Sequence, residues 1–303
     1  MPQKHTVPSA SASRASWSHL ALLFSLVTLG TFLGQLAASA ICFSGIGDVG
    51  EAMKTAVPPK WPLLMLQAIV SSSAFIVAPL LYLYVFMQQR VQTLFPWNQR
   101  YSVPLLLTLG LVLVFMVINT WFIQWNAVIT LPHWLKTFEI WAQEKEAALQ
   151  KITTLLTTFR SLEELGGAIV VIGVIPAIGE ELLFRGLVQK ICHELTSNIH
   201  LAIGISAFIF SAIHLQFYGF LPRFLLGTLF GYIYWWTKDL LFPIAAHFFN
   251  NAFTLIILFL HQRGLIEQDI VTLQAPSMPV FMFCVVMAIT LATLLRHQKS
   301  RTY

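Results

Sequence analysis

Hydrophobic positions run along this chain in long, nearly unbroken stretches, not in the regular apolar/polar alternation of a fold exposed to water. Stretches of spanning length, about 17–25 residues each, lie at residues 17–43, 61–87, 103–123, 165–187, 200–217, 221–236, 240–260 and 280–295. They predict an all-α, polytopic membrane protein with about eight transmembrane helices. The fifth and sixth stretches are short and separated only by residues 218–222, so seven is the alternative count. The tryptophans, Trp17, Trp61, Trp97, Trp121, Trp125, Trp134, Trp141, Trp235 and Trp236, fall at the ends of stretches or between them. Indoles prefer the headgroup level, so they mark the same boundaries independently of hydropathy.

One segment departs from this pattern. Between residues 132 and 164, Trp134, Phe138, Trp141, Ala148, Ile152, Leu155 and Phe159 recur at three- to four-residue steps, with Lys136, Glu139, Glu146 and Lys151 interspersed. That spacing predicts one interfacial amphipathic helix in the headgroup layer. Such a helix either packs on the bundle or serves as a lid or substrate guide. The chain therefore divides into a leader with three transmembrane helices at 1–131, the interfacial helix at 132–161, a core at 162–260, and the last transmembrane helix with a basic tail at 261–303. The leader is basic and rich in Ser and Ala, with Lys4 and Arg14, and Ala38-Ser39-Ala40 resembles a signal cleavage site. The apolar run is nevertheless about twice a normal signal core, and Ile41 before Cys42 does not suit a lipoprotein. The first stretch is expected to persist as a helix.

Composition agrees. Of 303 residues, 57% are apolar and 10% charged, with a mean hydropathy of +0.73. A soluble surface takes about 25% charged residues, so lipid is the solvent for most of this protein. The 24 Phe and 9 Trp exclude disorder. The net charge of +5 is scattered singly, without a basic stripe, so the bilayer and not nucleic acid is the expected partner. With eight spans, Lys4, Arg14, Arg90, Arg100, Lys190, Lys238, Arg296, Lys299 and Arg301 share one side, against Lys54, Lys60, Arg223 and Arg263 on the other. This predicts a multi-pass protein of the cytoplasmic (inner or plasma) membrane with both termini in the cytoplasm. Cys42, Cys192 and Cys284 form no CxxC pair and are expected to be buried free thiols.

Ionisable groups inside a span cost about 2.5–3.5 kcal/mol each by insertion scales and are functional suspects by default. The fourth stretch contains Gly179-Glu180-Glu181-Leu182-Leu183-Phe184-Arg185-Gly186. Two adjacent carboxylates in lipid cannot both be charged cheaply. Arg185 follows Glu181 by four residues on the same face and can neutralise it, which is equally the pattern of an ion pair that locks helix packing. Glu180 points about 100° away, and a less compensated carboxylate suits a general base. The fifth stretch holds Phe210 and His214; the seventh holds His247 and Asn251, four apart on one face. A lone helical His is more often a packing residue than a catalyst. Two His, two Glu and an Asn on three otherwise apolar helices form a set that can activate water and stabilise an oxyanion. Counted from the cytoplasmic ends, Glu180, His247 and His214 lie at roughly 15, 13 and 21 Å depth, so all three fit near the middle of a core about 30 Å thick.

Other membrane-protease chemistries lack their residues. His193-Glu194 is followed by Ser197 where a zincin needs His, Gly204-Ile205-Ser206-Ala207 is not a Gly-x-Ser-Gly run, and Asp239 has no embedded partner for an aspartyl dyad.

In order, Glu180-Glu181-x-x-x-Arg185, Phe210-x-x-x-His214 and His247-x-x-x-Asn251 resemble the motif set of the CPBP family, also called Abi or CAAX amino-terminal protease-like. That family includes the Ras-converting CAAX prenyl endopeptidase and bacteriocin-processing or immunity proteins. The resemblance covers about residues 162–260 and makes that core catalytic. It implies an eight-helix intramembrane endopeptidase acting on a peptide or protein substrate at the membrane. In it Glu180 activates the hydrolytic water, His214 assists, and His247 with Asn251 holds the water or stabilises the oxyanion; Glu181, Arg185 and Phe210 are supporting residues. Two cofactor readings follow: glutamate-dependent hydrolysis without a catalytic metal, which is the preferred one, or Zn²⁺ held by Glu180, His214 and His247; Asn251 is compatible with either. An immunity or scaffold protein on the same fold is the competing function. A transporter with a proton site at the Glu pair would be expected to show repeat symmetry, and none is visible.

Overall fold

The computed structural model describes residues 10–43, 60–96, 102–267 and 275–298, with the backbone alone for 10–16, 42 and 43. Lys4, Lys54, Trp97, Arg100, Lys299 and Arg301, and the side chains of Arg14 and Cys42, lie outside the described residues. Among those described, the chain forms helices and no strand: α1 Ala10–Phe43, α2 Lys60–Phe86, α3 Ser102–Ala127, α4 Lys136–Thr157, α5 Leu162–Thr196, α6 Ile199–Ala212, α7 Phe220–Thr237, α8 Leu241–Gln262 and α9 Met278–Gln298. The all-α, multi-span architecture is the expected one. Six helices (α1, α2, α3, α5, α8 and α9) are long and apolar enough to cross a membrane. The remaining two predicted spans, α6 with 14 residues and α7 with 18, are the pair whose stretches read as short.

Boundaries moved where capping, not hydropathy, decides them. α5 starts three residues early because Ser161 accepts a hydrogen bond from the Glu164 amide while Glu164 Oε2 accepts one from the Arg160 amide, satisfying donors that a helix start leaves open. α6 was expected to reach residue 217 but stops at Ala212, where the chain turns through Leu215 at φ 54°. A left-handed residue cannot continue an α-helix. α5 and α7 end the same way, on Ser197 and Lys238 at φ 52° and 58°.

The fold comprises two compact units, Met1–Pro96 with Val170–Ser206, and Trp97–Ile169 with Ala207–Tyr303. In the first, small residues let α2 approach its neighbours closely. A Cβ added at Gly30 of α1 would stand 2.7 Å from the Ser73 carbonyl oxygen, and one at Gly34 would stand 3.0 Å from Ser73 Cβ. On α5, a Cβ at Gly179 would meet Phe75 Cβ at 2.8 Å. Backbone contact of this kind exists only because these positions lack side chains. The segment they touch, Ser73–Val77, is π-helical, with the Ala78 amide bonding back to Ser73. Tyr82 further on hydrogen-bonds His19 Nδ1 at 2.9 Å, so both polar groups are satisfied within the helix layer, as burial away from water requires.

In the second unit, Leu111 and Val112 of α3, Phe230 and Ile233 of α7, Phe242 and Ala246 of α8 and Leu295 of α9 form a continuous buried cluster. The interfacial segment is helical as its periodicity predicts. Its apolar face divides: Ala142, Leu156 and Phe159 are buried, whereas Trp134, Phe138, Trp141 and Ile152 stay exposed. At the start of α4, Lys136 Nζ lies 2.9 Å from Glu139 Oε2, and this hydrogen bond holds the Glu139 carboxyl below its ordinary pKa. Of the cysteines, Cys192 is a buried free thiol, while Cys284 is free but only half-buried.

Candidate active site

α5 carries the acidic half of the set, in the first unit. Glu180, Glu181 and Arg185 are all buried. Arg185 Nη1 donates to Glu181 Oε1 at 2.8 Å, and neither side chain is more than 1% exposed. A buried guanidinium and carboxylate at this distance form a charge-assisted pair, so the four-residue spacing did bring them together. Immediately after Glu181 the helix widens into a π-helical segment, Leu182–Val188, closed by the Gln189 amide on the Phe184 carbonyl. Ser206 Oγ donates to the same carbonyl at 3.2 Å. The serine weighed above as a nucleophile is thus occupied in holding α6 to α5. π-Helical turns inside helices occur often at functional sites, and this one begins one residue past the carboxylate pair.

The second unit carries the histidines. His214 is not inside α6 but two residues beyond its end, half-buried. Its Nδ1 lies 2.7 Å from the Phe210 carbonyl oxygen. A carbonyl only accepts, so Nδ1 carries a proton, and in the neutral ring the lone pair is then at Nε2. The Phe-x-x-x-His spacing therefore does two things: the Phe210 backbone sets the tautomer, and its ring packs edge-on to His214, 5.3 Å between centroids. Phe210 also meets His247 edge-on at 6.2 Å, so one buried phenyl ring touches both imidazoles. On its other side His247 stacks on Phe230 at 5.2 Å, 28° between planes. Asn251 accepts a hydrogen bond at Oδ1 from Asn250 Nδ2 at 3.1 Å.

Three of these positions carried no role in the sequence: Phe230, Asn250 and Gly227. A Cβ at Gly227 would stand 3.0 Å from Phe210 Cδ1, so its bareness makes room for the phenyl between the histidines. Nothing in an apolar run distinguishes a glycine or phenylalanine of that kind. Asp239, set aside above, caps α8 through its Oδ1 and the Leu241 amide at 2.9 Å.

Among the described residues no group of three or more His, Cys, Asp or Glu side chains is arranged to hold a metal ion.

Buried carboxylates beside a buried arginine, and histidines packed on phenyl rings, all on apolar helices, define a class: helical membrane proteins with polar groups in their interior. The comparisons sharpen this. Residues 163–253 match the family model of the type II CAAX prenyl endopeptidase Rce1-like proteins, an interval that includes all three motifs. The resemblance read from those motifs is shown by this match. The chain is 31% identical over 106 residues, 35% of its length and 43% of the relative, to a Bacillus subtilis protein called "Putative membrane peptidase YdiL". It is 32% identical over 100 residues, 31% of its length and 48% of the relative, to the uncharacterized protein YpbD of the same organism. The chain thus spans about half the length of the curated relatives it matches. No solved structure matches it.

Proposed function

We propose that this protein is an intramembrane endopeptidase that hydrolyses a peptide bond of a membrane-associated or lipidated substrate with a water activated by Glu180. The observation that carries the reading is a buried Glu180 adjoining a Glu181 already committed to Arg185, within the segment matched by the endopeptidase family. In this reading Glu181 is the structural partner of Arg185, and Glu180 is the carboxylate that accepts a proton from water. The hydroxide formed attacks the scissile carbonyl. His214 Nε2, with its lone pair set by the Nδ1 bond to Phe210, assists in that proton transfer. The tetrahedral oxyanion takes hydrogen bonds from the Asn251 amide NH₂ and from His247. Collapse expels the amine, which receives the proton from the Glu180 carboxylic acid, leaving carboxylate and amine products. The protein works in the bilayer, with both termini in the cytoplasm.

The test compares protein N-termini and C-termini in host cells carrying the wild-type chain or Glu180→Ala at equal expression. The expected result is a set of cleaved ends present only with the wild type, and a loss of turnover of roughly 10²–10⁴-fold on the purified substrate. Wild-type turnover in the folded variant overturns the assignment. Identical ends in both strains, with a phenotype still separating them from a deletion, would turn the reading to an immunity or scaffold role.

A further inference from the structure

His214 lies two residues beyond the end of α6, so its position depends on whatever holds the residues that follow. Those residues are gripped from outside. Glu146, on the interfacial helix α4, accepts at Oε1 from Gln216 Nε2 and at Oε2 from the Tyr218 backbone amide, each at 3.4 Å. Gln216 in turn accepts from Arg223 Nη2 on α7 at 2.7 Å. One turn of α4 towards its start, Gln143 donates to the Tyr218 hydroxyl at 3.3 Å, and Phe138 packs edge-on to Phe217 at 5.6 Å. The far end of α4 is anchored separately. Gln262 Nε2 bonds the Thr157 carbonyl at 2.9 Å, and its Oε1 accepts the Phe159 amide at 2.8 Å.

We propose that Glu146 is a positioning residue for His214, clamping residues 216–218 so that the surface helix sets where the imidazole lies. Glu146 is half-buried, and its two oxygens engage donors two and four residues beyond His214. Both bonds are long, and the Gln143–Tyr218 and Phe138–Phe217 contacts beside them tie the same segment to α4. Between the clamp and the histidine lies only Leu215, at φ 54°. A link of one residue leaves the chain little slack between the clamp and the histidine. The inference rests on the endopeptidase reading for its catalytic consequence, and on contacts within one unit for its structural one.

The experiment uses the full chain in detergent micelles and has two readouts. One is amide hydrogen exchange over residues 214–219. The other is kcat and KM on a membrane-anchored reporter carrying the first cleavage sequence that the comparison of chain ends identifies. Glu146→Ala is expected to raise exchange in that segment roughly tenfold and to lower kcat by about tenfold with KM nearly unchanged, since misplacing a catalytic group acts on the transition state. Glu146→Gln, which retains an acceptor oxygen, should recover part of both effects. Gln216→Ala removes the Oε1 half of the clamp without altering α4, and its effect should add less than fully to that of Glu146→Ala. Lys145→Ala, exposed on the neighbouring position, should change neither readout. Unchanged exchange in Glu146→Ala overturns the clamp whatever the activity. Faster exchange with unchanged kcat, in a protein that Glu180→Ala inactivates, overturns the positioning role. If Glu180→Ala is itself fully active, the endopeptidase reading falls instead, and the exchange result alone decides whether Glu146 holds the segment.

Discussion

α5 and α9 are both apolar enough to cross a membrane, and of the two α9 is the more hydrophobic, at 2.4 against 1.9 in mean window hydropathy. Their surroundings are opposite. In α5, 56% of the window is buried inside the protein; in α9, 6% is. Hydropathy therefore selects what enters lipid but not what faces protein. In a bilayer the tails are as apolar as leucine, so no hydrophobic force sorts one greasy helix inward and another outward. What sorts them is polarity and size. α5 contains Glu180, Glu181 and Arg185, which are costly against lipid, and Gly179, which admits a neighbour's backbone. α9 has neither device in its middle.

The contrast is broken most forcefully at the ion pair. Arg185→Leu strands a buried carboxylate, and removing one partner of such a pair costs about 3–5 kcal/mol. Thermal unfolding in detergent should show a large fall in Tm, with much of it restored in the double variant Glu181→Leu/Arg185→Leu. A single variant as stable as wild type would show that the pair is not a determinant of α5 packing. A smaller effect is expected at Gly179→Ala, whose new Cβ would overlap Phe75 Cβ at 2.8 Å. Overpacking of this kind costs about 1–3 kcal/mol, and Gly186→Ala, where the nearest contact is an ordinary 3.4 Å from Leu94 Cδ1, is the matched control. Equal Tm values for the two alanine variants would remove close approach as the reason for glycine at 179. The smallest effect belongs to α9. Val286, 59% exposed on the protein surface, should tolerate Val286→Ala within about 0.5 kcal/mol, and a loss comparable to that of Gly179→Ala would mean that α9 has a protein neighbour on that face.

Much of the site was legible as residue types at fixed spacings. Glu181 and Arg185 were paired on paper because four residues make one helical turn, and they pair at 2.8 Å. The His214 environment was only half legible. Phe-x-x-x-His is a helical spacing, and the carbonyl of Phe210 does meet Nδ1, yet the helix ends at Ala212. That end depends on one residue's left-handed φ, which no hydropathy pattern encodes. The amphipathic period of 132–164 likewise identified a helix but not which of its apolar residues the protein would cover. Phe159 is buried through Gln262 and Phe259 on α8, a partner about a hundred residues away in the chain.

By itself, then, the sequence determined the solvent, the all-helical class, the order of the helices and the polar residues that lipid would not accept. These follow from local quantities, namely runs of apolar residues about a bilayer thick and side chains one turn apart. Only the tertiary structure decided which apolar helix lies inside, where glycine matters, which phenyl ring bridges the two histidines, and that a glutamate on α4 hydrogen-bonds the chain beyond His214. Each of those is a contact between segments far apart in sequence, and in an apolar chain such contacts are chosen by shape, which composition and spacing do not record.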